Sequence, residues 1–89
     1  MRSQLLAARA AALFASELPS GSRPTADLVE AAIARSVRLS GGTRGCVAAL
    51  AAAYGDYPES ACVRMRWARS VVMNVYDRKE APAEMALAA

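Results

Sequence analysis

Apolar residues recur at helical spacing in four stretches of the chain. In the first, about 3–18, Leu6, Ala10, Leu13, Phe14 and Leu18 fall on one helix face. Pro19-Ser20-Gly21-Ser22 and then Pro24 interrupt it. The second, about 25–39, carries Val29, Ile33 and Val37 at i, i+4 and i+8, with Leu28 and Ala32 beside them. Thr25 is its expected N-cap. Asp27 in its first turn, and Arg35 and Arg38 near its end, have the signs that suit the helix dipole. Ser40-Gly41-Gly42 stops it. The third, about 43–54, gathers Cys46, Val47, Leu50, Ala51 and Tyr54 on one face, with Thr43 as the expected cap and Gly55 as the expected C-terminal Gly. The fourth, about 57–77, opens on Asp56-Tyr57-Pro58-Glu59, a capping-box-like pair with Pro in the first turn.

The fourth stretch carries two apolar lines. Ala61, Met65, Ala68, Val72, Val75 and Tyr76 make one stripe; Val63, Trp67 and Val71 make another on a different face. A one-sided surface helix needs only the first. Either this helix is central, or the extra line meets another molecule. Val63, Trp67 and Val71 are therefore expected interface residues, with Trp67 the anchor. Ala7, Ala8, Ala11, Ala12 and Ala15 would let helices approach closely. The expected fold is all-α, a small four-helix domain over 1–79, with 80–89 as a flexible C-terminal tail.

Cys46 to Arg66 resembles a helix-turn-helix. Leu50-Ala51 supply the apolar and small pair of the first helix, and Gly55 lies four residues after Ala51. Tyr57 would plug the turn, and Cys62 and Met65 would anchor the second helix. Asp56 departs from the pattern, as a one-residue insertion between the Gly and the apolar turn residue. The resemblance implies a DNA-binding segment over 43–69. Thr43, Arg44 and Gly45 would hold a phosphate at a helix N-terminus. Ser60 and Arg64 would reach base edges, and Arg66 and Arg69 would contact the backbone. Trp67 is awkward on a face that enters a groove. The stretch from Tyr54 to Arg69 is also similar to small uncharacterised helical proteins of actinobacteria, a similarity that brings no activity with it.

Composition adjusts this picture. The chain has 89 residues, room for one domain, and is 55% hydrophobic, much of that Ala. Larger apolar side chains are few enough that a partner subunit is expected to complete the core. Net charge is +3, and Lys79 is the single Lys among 11 basic residues. Such an Arg excess fits phosphate recognition, and equally fits a solvated basic face. There is no His. That removes His-based acid–base chemistry, and two Cys alone cannot complete a zinc site. No metal, no cofactor, no small-molecule substrate and no enzymatic activity are expected. Cys46 and Cys62 both fall on apolar helix positions and are expected as buried free thiols, with a disulfide as the alternative. No apolar run is long enough to cross a membrane, and Arg9 interrupts the N-terminal one, so a cytoplasmic protein is expected. Two functions remain. One is a DNA-binding, dimeric regulator of transcription. The other is a helical protein–protein interaction module, a homodimer or part of a larger assembly.

Overall fold

The computed structural model describes residues 2–79. They form four helices: α1 (Arg2–Phe14), α2 (Ala26–Leu39), α3 (Thr43–Asp56) and α4 (Pro58–Lys79). No strand occurs among the described residues, and the domain is all-α as its periodicity predicts. The tail expected at 80–89 lies outside the described residues.

Each helix boundary has a local cause. α1 ends four residues before the predicted Leu18. The Ser16 hydroxyl donates to the Leu13 carbonyl at 2.6 Å, and the Ser16 N–H turns to the same oxygen at 3.1 Å. Thr25 caps α2 as predicted, its Oγ1 accepting from Leu28 N–H at 3.3 Å. α2 then closes in a Schellman motif. Gly42 N–H reaches back to the Val37 carbonyl at 2.7 Å and Gly41 N–H to that of Arg38 at 3.4 Å. The φ of +77° at Gly41 is a conformation that favours Gly.

The next two boundaries correct the sequence reading. The N-cap of α3 is Gly42, and Thr43 lies just inside the helix with no capping bond from a side chain. Gly55 does not stop α3 but sits within it. The helix runs on to Asp56 and is closed by Tyr57, whose N–H bonds to the Ala53 carbonyl at 2.7 Å. α4 begins at once on Pro58, where a missing N–H costs nothing. The Asp56–Glu59 capping box does not form. The bonds at this junction come from Ala61 N–H and Ser60 Oγ, both to the Tyr57 carbonyl, at 2.9 and 3.3 Å.

α1 is the most central helix, and α4, for which the sequence left a central place open, packs chiefly on it. α1 packs on all three others, and Ala10, Ala11, Ala12, Leu13 and Phe14 are buried in succession. Small Ala side chains make this possible, because neighbours can close on the helix from several sides. Leu13 and Phe14 join Val29, Ala61, Ala68 and Val72 in the main core cluster. Ala11 and Ala12 meet Cys46 of α3 in a second one. Cys46 is therefore buried as expected. Cys62 is exposed and in no disulfide, because Ala61, one position earlier, takes the core-facing place on α4. No helix among the described residues is long and apolar enough to cross a membrane.

Candidate interaction surface

Arg64 shows best how the fold redistributes the residues expected to bind DNA. Its guanidinium turns inward across the end of α1. Nε donates to the Phe14 carbonyl at 2.8 Å, Nη2 to the Ser16 carbonyl at 2.9 Å and Nη1 to Ser20 Oγ at 2.9 Å. The two carbonyls lie at the end of α1, where a helix leaves such groups without partners, and a cation suits that end of the dipole. The group also lies over the Trp67 ring at 5.0 Å and the Phe14 ring at 5.6 Å. Partial burial pushes its pKa below the usual arginine value, and the group stays charged at any physiological pH. Three of its five N–H donors are engaged within the chain, one on each guanidinium nitrogen, where base-edge readout would need them outside.

The other expected DNA contacts divide. Thr43, Arg44, Ser60, Arg66 and Arg69 are all exposed. Arg66 Nη2 lies 4.0 Å from Cys62 Sγ. Gly45 has a different role. Its N–H is committed to the Gly42 carbonyl at 3.1 Å, and a Cβ at this position would collide with the Ser40 carbonyl. Gly45 thus lets α3 start tight against the end of α2. The exposed leading turn of α4 also carries Glu59, three residues after Asp56 at the end of α3. Only Tyr57 separates the two helices, a tighter connection than the roughly 3–4-residue turn of a helix-turn-helix.

The expected interface triad divides as well. Trp67 and Val71 pack partly buried against the main core. Trp67 Nε1 donates to the Ser22 carbonyl at 2.9 Å and ties the α1–α2 connection to α4. Beside it runs an open cleft of about 960 Å³, lined on one side by Arg23 and Asp27 and on the other by Trp67, Ser70 and Asn74. Only Val63 points outward, 59% exposed.

The surface that stands out was not singled out by the sequence. α3 buries one side, through Cys46, with Leu50 and Ala53 partly buried, against the rest of the domain. Its outer side holds Val47, Ala48, Ala51, Ala52 and Tyr54, all exposed, and there is no charged residue from Gly45 through Gly55. Val47 is 48% and Tyr54 39% exposed, and Tyr57 at the helix end is 71% exposed. A helix that is apolar on every side belongs in an interior or an interface. The charges that bracket this face are exposed Arg44 in the first turn and exposed Asp56 at the end. Arg44 has the sign that the dipole of α3 disfavours, whereas Asp56 at the end of α3 also stands just before α4, whose N-terminus favours an anion. The signal was present in the sequence as an uncharged run with no polar face. It was hidden because a short Ala-rich helix resembles a core helix until its neighbours are known.

Among the described residues, no three His, Cys, Asp or Glu come together as metal ligands. Protein-family models, curated proteins and solved structures give no match to this chain.

Proposed function

We propose that the protein is a helical protein–protein association module, acting without catalysis, whose contact surface is the outward face of α3. The observation that carries this reading is the combination on α3 of solvent exposure and an uncharged sequence from Gly45 to Gly55. Burying exposed apolar area of this kind against a partner is favourable by about 25 cal/mol per Å² before the costs of association. Arg64 and Trp67 serve the scaffold, holding the end of α1 and the α1–α2 connection so that α3 and α4 keep their places.

A photo-crosslinking residue at Ala51 tests the reading without assuming a partner. Irradiation in the producing cell is expected to give a discrete protein adduct. The same residue at Ala34, exposed on α2, is expected to give none. Absence of an adduct at Ala51, or equal labelling at both positions, contradicts the reading.

DNA binding is the second reading, favoured by the exposure of Arg44, Arg66 and Arg69. Against it stand the internal bonds of Arg64 and the acidic pair Asp56 and Glu59 beside the leading turn of α4. Fluorescence anisotropy with duplex DNA separates the two. The association module shows no binding that depends on Arg66 and Arg69. A DNA-binding protein would show binding that falls steeply with salt and with Arg66→Ala.

A further inference from the structure

We infer that the occupant of the α3 face is a second copy of this chain, its α3 running antiparallel across a twofold axis. The inference rests on the reading of α3 as the contact surface and names its partner. Arg44, Ala48, Ala51 and Gly55 recur at i, i+4, i+7 and i+11, and all four are exposed. They form one line along the helix. In an antiparallel pair such a line meets itself, as an isologous contact requires. Ala48 of one copy then faces Ala51 of the other, and Arg44 faces Gly55.

That register pairs the two charges that bracket the face. Gly55 has no side chain, and open space surrounds the position where a Cβ would stand. The long Arg44 side chain of one copy crosses that gap and reaches Asp56 of the other. By symmetry this happens at both ends. A parallel pair would instead set Arg44 against Arg44 and Asp56 against Asp56. A uniformly acidic or basic partner would satisfy one end and repel the other. Val47, Tyr54 and Tyr57 flank the line and widen a contact that a helix of 14 residues, about 21 Å long, would leave narrow.

The test is the solution mass of the full chain by sedimentation equilibrium at low salt, over about 10–500 μM, since a small contact places association in the weaker range. The wild-type chain is expected to move with concentration from its 9.3 kDa monomer mass toward twice that value. Arg44→Asp and Asp56→Arg are each expected to weaken association about tenfold or more, because each turns two attractions into repulsions. The double variant, Arg44→Asp with Asp56→Arg, is expected to return to within about threefold of wild type. Arg44→Asp installs the sign that the dipole of α3 prefers. Asp56→Arg suits the end of α3 but brings a cation to the start of α4, a small cost at an exposed site, so the circular dichroism of both should stay helical. A dimer indifferent to either reversal, or a double variant no stronger than the singles, overturns the antiparallel register. Monomer mass at every concentration overturns the second copy as partner. In that case a protein adduct at Ala51 would still uphold the broader association reading, and its absence would end both.

Discussion

Arg64 Nε donates to the Phe14 carbonyl at 2.8 Å, so the middle of α4 closes the end of a helix that finished fifty residues earlier. The two residues also stack, guanidinium over ring, at 5.6 Å. Arg64→Ala removes all three donors from the α1 terminus at once. A loss of about 2–3 kcal/mol in urea unfolding is expected, given that hydrogen bonds from charged donors are worth about 1.5–3 kcal/mol and are not additive. Arg64→Lys should recover less than half of that loss, because an ammonium cannot span Phe14, Ser16 and Ser20 with a planar fork. A loss below about 0.5 kcal/mol for Arg64→Ala would show that the contact is incidental.

Two glycines in one helix should respond in opposite directions. Gly45→Ala forces a Cβ into the Ser40 carbonyl and should destabilise the domain by about 1–3 kcal/mol, although Ala is the better helix former. Gly55→Ala meets nothing and should gain up to about 0.5–1 kcal/mol from helix propensity. Thermal unfolding in dilute solution, where association plays no part, reads both. Equal effects at the two positions would contradict the packing of α3 against the end of α2.

Trp67 belongs to the fold, and its substitution should show that. Trp67→Phe keeps the aromatic body and loses the bond to the Ser22 carbonyl, a cost of about 1 kcal/mol. Trp67→Ala should cost about 2–3 kcal/mol, less than for a fully buried aromatic because Trp67 is only partly buried. If Trp67→Ala abolished association yet left the unfolding midpoint of the monomer unchanged, Trp67 would be an interface anchor after all.

The two thiols should separate cleanly in a labelling experiment. Cys62, exposed on α4, is expected to react with an aromatic disulfide reagent in the native protein. Cys46, buried between α1 and α3, should react only as the domain unfolds. Two fast-reacting thiols, or none, would contradict the assigned orientation of α3 or α4.

Much of this architecture was written locally. Thr25, the Ser40-Gly41-Gly42 stop and Pro58 act through their own backbone, so their effect reads directly from the chain. What the sequence hid depends on neighbours. The uninterrupted burial of Ala10 to Phe14 arises only when three helices close on α1, and Ala tolerates either surroundings. Cys62 and Ala61 differ by one helical position, less than a sequence pattern resolves, and fall on opposite sides of the burial boundary. Arg64 read as a free cation because two of its three partners are backbone carbonyls, which carry no signature in side-chain sequence, and the third, Ser20, is 44 residues away. The same holds for α3. Its apolar run predicted burial, and the fold supplies a neighbour for one side only.

The central claim is that the outward face of α3 joins two copies of the chain. Ala51→Glu places a charge in the middle of that face, at an exposed helical position where the monomer has no reason to object. Sedimentation equilibrium of wild type and variant, with circular dichroism as the control for folding, tests the claim most directly. The expected result is a wild-type mass that climbs toward the dimer with concentration, and a helical variant that stays at 9.3 kDa. A wild-type chain that never exceeds that mass, or a variant that associates as strongly as wild type, would contradict it.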